Sequence, residues 1–127
     1  MYHDIRIYVY SHKVFIMITP TIAQEVSLLH ADLCSALADP TRLILLYTLA
    51  GRSYNVTELT QELNLSQPMI SRHLKILRER GLVTATRRGI VVQYELADQR
   101  IITALDLLRS VMRDRVQYRA NLLVHNE

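Results

Sequence analysis

Apolar residues recur along the chain with two different periods. A spacing of three or four positions, typical of one face of a helix, runs through five segments. Between the fourth and fifth segments, two β-type runs lie on either side of a glycine. The predicted order of elements is α-α-α-α-β-β-α, a mainly α fold with a small β-hairpin.

Capping residues indicate where the first two helices begin. Thr21, followed three residues later by Gln24, forms a capping box. Asp39 before Pro40 combines an N-cap with a proline in the first turn, and Gly51 is predicted to end this second helix. The apolar face predicted for the first helix consists of Ile22, Val26, Leu29, Leu33 and Leu37.

Two short helices joined by a three-residue turn predict a helix-turn-helix. Asn55 or Thr57 caps the third helix, and Asn64 lies in the turn, where Asn tolerates a left-handed conformation. Ser66 caps the fourth helix, with Pro68 in its first turn. The core-facing positions of the fourth helix are predicted to be Ile70, Leu74 and Leu77.

A hairpin and a long helix are predicted to complete the fold. The strands cover residues 82–88 and 90–96 on either side of Gly89, which places Arg87 and Arg88 at the tip. Asp98 is expected to cap the last helix. The apolar stripe of that helix comprises Ile101, Leu105, Leu108 and Met112.

One domain is predicted over residues 21–118, with a frayed tail at 119–127. Residues 1–20 have two interpretations that the sequence leaves open. Alternation from Ile5 to Tyr10 favours an extended arm that packs on a partner. Met17, directly before the first helix signature, instead favours an over-extended start.

Charge is concentrated in one part of the chain. The net charge is +3, but residues 66–94 alone carry +5 and the rest sums to −2. A basic patch on a nearly neutral body is typical of a protein that binds a polyanion. The basic residues of this segment are Arg72, Lys75, Arg78, Arg80, Arg87 and Arg88.

Several classes of protein are not supported by the sequence. Cys34 is the single cysteine, which excludes an intramolecular disulfide and a zinc finger and suits a reducing cytoplasm. No apolar run reaches about 18 residues, and no secretory signal is present, so we expect a cytoplasmic protein without a membrane contact. Neither a nucleophile with its base nor a glycine-rich phosphate loop occurs, so we predict no enzyme and no cofactor.

The fourth helix and the hairpin have the chemistry of a DNA-binding surface. Residues at the start of such a helix reach base edges in the major groove, where Gln pairs with adenine and Ser with either partner. Ser66, Gln67 and Ser71 are the predicted base contacts, with Gln67 and Ser71 on the face opposite Ile70 and Leu74. The predicted phosphate or groove contacts are Arg72, His73, Lys75, Arg78, Arg87 and Arg88. For His73, packing against the third helix is an equal alternative.

Three stretches resemble the ArsR/SmtB family of bacterial winged-helix repressors. They are ALADPTRLILLYTLAG (36–51), LSQPMISRHLKILRERGLV (65–83) and RRGIVVQYEL (87–96), within a similarity that covers about residues 22–115. The resemblance implies a winged helix-turn-helix homodimer that binds a near-palindrome in double-stranded DNA, with two recognition helices about 34 Å apart.

Dimerisation is also predicted from the residues themselves, because the last helix has more apolar surface than one small domain covers. The alternative for any one of these side chains is ordinary core. The predicted interface comprises Leu29, Leu33, Ile101, Leu105, Leu108 and Met112.

The residues that would sense a metal in the resembled family are absent. Tyr54–Leu59 has no thiolate where that family often has two, and soft metals require sulfur. The positions matching its zinc site in the last helix lack imidazole: Asp98, Arg100, Val111 and Asp114. His30 and Cys34, four residues apart on the first helix, are weak candidates for a metal or redox site between two subunits. The alternative is a buried Cys34 and a surface His30.

The sequence thus predicts a DNA-binding transcriptional regulator, a repressor in particular, without those metal sites. Two alternatives stay open: a winged-helix module for protein interaction or dimerisation, and a metal- or redox-sensing repressor using His30 and Cys34. No effector is identified by the sequence.

Overall fold

The computed structural model describes residues 21–125. The chain separates into two compact units, one ending at Ala38 and the other beginning at Asp39, and each is described by itself. Residues 1–20, for which an arm or an over-extended start is predicted, lie outside the described residues, as do residues 126–127.

The first unit is one helix with an irregular middle. This helix, α1, runs as α-helix over Ile22–Leu28, as π-helix over Leu29–Cys34 and as α-helix again over Ser35–Leu37. The predicted capping box at its start is confirmed, with both hydrogen bonds between Thr21 and Gln24 present at 2.7 and 3.2 Å. The π segment was not predicted, because the apolar spacing alone does not distinguish it from an α-helix.

Helices α2 and α3 begin at side-chain caps. In α2, Pro40–Gly51, the Asp39 carboxylate accepts the N–H groups of the first turn at 2.8 and 3.2 Å. In α3, Val56–Leu63, Asn55 is the N-cap and forms a capping box with Glu58. These side chains satisfy donors that the helices leave unpaired at their starts. Gly51 is the last residue of α2 rather than the residue after it.

Helix α4, Gln67–Glu79, follows α3 after a tight turn. Asn64 has φ 54° and ψ 45°, the left-handed conformation that was predicted for it. The Ser66 hydroxyl accepts the Met69 N–H at 3.4 Å as the predicted N-cap. The helix-turn-helix is therefore confirmed in its elements and its turn.

Glycine at the end of α4 turns the chain directly into the hairpin. Gly81 has φ +75°, and its N–H donates to the Arg78 carbonyl at 3.0 Å. The next N–H, that of Leu82, donates to the Leu77 carbonyl at 2.8 Å. This pair of bonds is the Schellman motif, which favours a residue without a Cβ at the left-handed position.

The hairpin consists of β1, Val83–Arg88, and β2, Val91–Leu96, which are antiparallel. A single bridge adds Tyr54 to its edge, with reciprocal hydrogen bonds to Tyr94 of 3.1 and 2.8 Å. The bridge was not predicted. It ties the hairpin to the segment between α2 and α3.

The last helix, α5, spans Arg100–His125. The Arg100 N–H donates to the Asp98 carboxylate at 2.9 Å, as expected of the predicted cap. The helix includes residues 119–125 of the predicted frayed tail. A helix of 26 residues is roughly 39 Å long.

The core of the second unit lies where α2, α3, α4 and the start of the hairpin meet. The prediction for α4 is confirmed, since its three predicted core residues are almost completely buried. The core side chains of this unit are Leu45, Leu46, Leu49, Tyr54, Leu59, Ile70, Leu74, Leu77, Leu82, Val83, Ile102 and Leu105.

Among residues 21–125, no single helix has the length and hydropathy to cross a membrane. One bent pair of helices, Ile22–Leu37 with Pro40–Gly51, meets those criteria when the two are taken together, by length and composition only.

The turn between α3 and α4 yields a stability prediction. Asn and Ala both have a Cβ, but Asn64→Ala removes the polar side chain that makes the left-handed region tolerable for Asn, which costs about 1 kcal/mol. We expect Asn64→Ala to lower the free energy of unfolding by that amount in urea titrations. Asn64→Gly, the matched control, should retain or increase stability, and equal losses in both variants would contradict this explanation.

Candidate nucleic-acid interface

The exposed residues of α4 form one polar surface beside the hairpin. A cleft of about 500 Å³ lies there, lined by Ser71, Lys75, Arg78 and Glu79 together with Leu74 and Tyr94. Ser71 is exposed and Leu74 is buried, as predicted, but both line this cleft, so the two lie on adjacent rather than opposite sides of α4. Three residues separate the two, which places them on neighbouring rows of a helix.

The residues predicted to contact bases are all exposed. Gln67 occupies the first position of α4, and Ser71 is one turn further along. Ser66 is exposed too, but its oxygen serves as the helix cap. Its hydroxyl hydrogen is still available for donation, since a hydroxyl both accepts and donates. Contact with bases remains a prediction for these three residues.

Five exposed cations surround this surface: Arg72, Lys75 and Arg78 on α4, and Arg87 and Arg88 on the hairpin. The ion pairs within residues 21–125 include those of Arg52 with Glu58, Arg100 with Asp98 and Arg109 with Asp106. None of the five takes part in these pairs. Cations that are not neutralised within the protomer are suited to bind phosphate groups.

The two hairpin arginines leave opposite faces of the hairpin. The register pairs Arg87 with Val92 and Arg88 with Val91, and side chains of successive residues point to opposite faces. The face of Arg87 is also that of Tyr94, which lines the cleft along α4. Arg87 thus extends the basic surface of α4, whereas Arg88 lies on the outer face.

His73 does not belong to this surface. It is only 5% exposed, so its prediction as a phosphate contact is corrected. Its Nδ1 atom lies 3.3 Å from the Arg42 guanidinium of α2. Because a guanidinium can only donate, Nδ1 accepts this bond and the ring proton is on Nε2. The alternative prediction placed His73 against α3, whereas its hydrogen-bond partner Arg42 belongs to α2.

This contact joins two of the stretches that resemble the ArsR/SmtB family, residues 36–51 and residues 65–83. Asp39 caps α2 through the Arg42 N–H, and that bond is the largest cause of a lowered pKa of the Asp39 carboxyl. Burial lowers the pKa of His73, Asp39 opposes this shift, and the charges of Arg42 and Arg72 add to it. The start of α2 and the middle of α4 are therefore held together by a neutral imidazole.

Helices α2 and α5 are linked by a second polar group of residues that was not predicted. The Tyr47 hydroxyl donates to the Asp106 carboxylate at 2.7 Å, and Arg109 pairs with the same carboxylate at 3.2 Å. The Arg109 guanidinium also lies 5.1 Å from the centre of the Tyr47 ring. No sequence pattern identifies such a contact, because 59 residues separate the hydroxyl from its acceptor.

Candidate metal ligands are few in this part of the chain. No group of three or more His, Cys, Asp or Glu side chains converges among residues 21–125. Asp98 is held by Arg100 through bonds of 2.7 to 3.1 Å, which lower its pKa to about 2. His30 and Cys34 are both exposed, on the π segment rather than on a regular α-helix. The alternative of a buried Cys34 is wrong.

The predicted interface residues divide into three groups by their exposure. Leu105 is only 8% exposed, so it belongs to the core and its assignment to an interface is corrected. Leu33 and Ile101 are half-buried. Leu29, Leu108 and Met112 are exposed, together with Val111, Val116, Leu122 and Leu123 further along α5.

Comparison with known proteins agrees with this geometry. Residues 39–85, from the cap of α2 into β1, match the model of bacterial regulatory proteins of the arsR family. The biofilm growth-associated repressor of Agrobacterium fabrum is 36% identical over 81 residues, which are 64% of this chain and 69% of that protein. The chain belongs to the arsR family of bacterial regulatory proteins.

Two further similar proteins extend the comparison. The HTH-type transcriptional repressor SmtB of Mycobacterium tuberculosis is 41% identical over 70 residues, 55% of this chain. The match spans about half the length of that relative, 52%. The crystal structure of M. tuberculosis Rv0081 has a TM-score of 0.67 at 30% identity, covering 75% of this chain and 96% of that one. The predicted fold and family are confirmed.

Burial of His73 predicts a pH dependence of stability. The pKa of His73 is lower in the folded protein than in the unfolded chain, where it is about 6.5. At pH values between these two pKa values, the unfolded chain therefore binds more protons than the folded protein. The contribution of the neutral His73 to the free energy of unfolding is therefore fully present above about pH 6.5. It decreases as the pH falls below that value, by at most about 1.4 kcal/mol per pH unit.

We expect urea titrations from pH 7.5 to 5 to show this decline in the unmodified protein and a flatter profile in His73→Gln. Carboxyl groups with lowered pKa values, such as Asp39 and Asp98, lose their contribution only at lower pH. An equal slope in both proteins would contradict the assignment to His73.

Proposed function

We propose that this chain is a transcriptional regulator that binds double-stranded DNA as a homodimer and acts as a repressor. The observation that supports it is the uncompensated basic surface of α4 and the hairpin, which surrounds the exposed side chains that are predicted to contact bases. Family membership supports the same function, since the relatives named above are themselves described as repressors. Both observations favour DNA over a protein partner.

In the proposed complex α4 enters the major groove with its first turn leading. Gln67 and Ser71 contact base edges, and Lys75 and Arg78 on the cleft side reach one line of phosphates. Arg72 leaves α4 on another side, next to the buried His73, and reaches phosphates there. Arg87 and Arg88 contact the backbone on either side of the hairpin.

The proposed dimer uses the exposed apolar residues of α5. Leu108 and Met112 lie one turn apart on one stripe, and both are more than half exposed in the protomer. A second copy of the chain would cover these residues, and twofold symmetry then presents two α4 helices to half-sites one helical turn apart. Residues of α1 are a further part of the proposed interface, with Leu29 exposed.

Regulation by a metal at His30 and Cys34 is not favoured over this function. Within one protomer, residues 21–125 bring no third metal ligand to these two side chains. The relatives are regulators rather than enzymes, and we propose no catalytic activity. A cytoplasmic location follows from this proposal.

Salt dependence of DNA binding tests the proposal. In a homodimer, Arg72→Ala removes two phosphate contacts, so the slope of log affinity against log salt should decrease by about 1.8. Fluorescence anisotropy on a duplex selected by the protein from a random pool measures this slope. Arg113→Ala, an exposed arginine of α5 outside the surface, is the matched control and should leave the slope unchanged. Failure to bind any duplex at low salt would overturn the proposal.

A pair of neighbouring leucines tests the dimer. Leu108 and Leu107 are exposed to the same degree, 63% and 65%, but lie on different faces of α5. We expect Leu108→Glu to dissociate the dimer in sedimentation experiments, because a charge replaces apolar contact at the interface. Leu107→Glu should remain dimeric. If both variants are dimeric, or if both are monomeric, the face of α5 proposed as the dimer interface is wrong.

A further inference from the structure

The tip of the hairpin carries an apolar side chain in a place where turns usually have polar residues. Two residues, Gly89 and Ile90, join the paired Arg88 and Val91. Gly89 has φ +66°, as a two-residue turn with glycine first requires. Ile90 is 97% exposed, the highest value among the large apolar side chains of residues 21–125. Asn, Asp, Ser or Gly is the usual choice at such positions, so the turn itself does not require Ile90.

A single exposed apolar residue is ordinary on a protein surface, and exposure alone assigns it no role. What distinguishes Ile90 is its position between two cations. Arg87 and Arg88 leave opposite faces of the hairpin immediately behind the tip. An approaching ligand therefore meets one apolar side chain at the front and a positive charge on each side.

The DNA minor groove is complementary to this arrangement. Its two walls carry the phosphates of the two strands, and sugars line its sides. The groove is about 6 Å wide, whereas two paired strands alone are about 4.8 Å apart before their side chains are counted. The body of the hairpin is thus too wide to enter. The tip is narrower, because one of its two residues is a glycine.

We propose that Ile90 inserts into the minor groove next to the site of α4, while Arg87 and Arg88 bind phosphates on opposite walls, and that this contact selects A·T over G·C base pairs. Apolar side chains are used in this way by several proteins that bind the minor groove. The selectivity has a steric and polar origin, since guanine places an amino group on the floor of the groove and adenine does not. The inference rests on the proposed DNA binding and adds a determinant of sequence preference to it.

The test compares duplexes that differ only in the minor groove. Starting from a duplex selected by the full-length protein, adenines under the hairpin are replaced by 2,6-diaminopurine, which adds the minor-groove amino group and keeps the major-groove edge. We expect the unmodified protein to bind the modified duplex about tenfold more weakly, because the apolar contact is lost. Ile90→Ser should bind the two duplexes with equal affinity. That affinity should be about tenfold weaker than the affinity of the unmodified protein for the unmodified duplex.

Two further variants separate this contact from electrostatics. Ile90→Leu keeps an apolar side chain and should keep the preference for the unmodified duplex. Ile90→Ser should keep the salt slope of the unmodified protein, whereas Arg88→Ala should reduce it by about 1.8 in the dimer. Unfolding curves check that Ile90→Ser folds, which its exposed position favours.

The outcomes are distinguishable. If the unmodified protein binds no duplex, the proposed function fails and this inference fails with it. If the protein binds but Ile90→Ser has the same affinity, or still discriminates between the two duplexes, the inference alone is overturned.

Discussion

Burial of one face of α4 is the constraint on which the rest of this protein depends. Ile70, Leu74 and Leu77 are almost inaccessible, and loss of each side chain from such a site costs about 2–5 kcal/mol. A helix cap contributes about 1 kcal/mol, so packing rather than capping fixes the rotation of α4. Once that face is buried, Ser71, Lys75 and Arg78 have to lie on its exposed side. The basic surface is thus a consequence of the core beneath it.

Polar contacts then hold α4 and the hairpin in one arrangement. The hydrogen bond between Arg42 and His73 connects α4 to the start of α2. The Schellman motif at Gly81 fixes the short connection between α4 and β1. The bridge between Tyr54 and Tyr94 anchors the other strand. These contacts favour the proposed DNA binding, since each one reduces the conformational freedom that binding would otherwise have to remove.

Helix α5 has two parts with different environments. Its first turns pack into the core through Ile102 and Leu105 and bind α2 through Asp106. From Leu107 onward its large apolar side chains are exposed within the protomer, over a length that the core does not reach. Helix α2 connects this inner part of α5 to the basic surface of α4, because α2 contacts both α5 and α4.

The sequence alone determined those features that arise from residues within about five positions of one another. The caps at Thr21, Asp39 and Ser66 and the left-handed turn at Asn64 were all predicted, because each is a local interaction between a side chain and nearby backbone. The core face of α4 and the positions of its cations followed from periodicity. Residues at the edge of a face and contacts between distant segments needed the tertiary structure. The sequence left His73 open between a phosphate contact and packing against the third helix, and Leu105 open between interface and core. Both residues are buried, and Tyr54 pairs with a strand 40 residues away. The reason is that burial at the boundary of an amphipathic face depends on which neighbour packs there, and the spacing of residues along one helix contains no information about that neighbour.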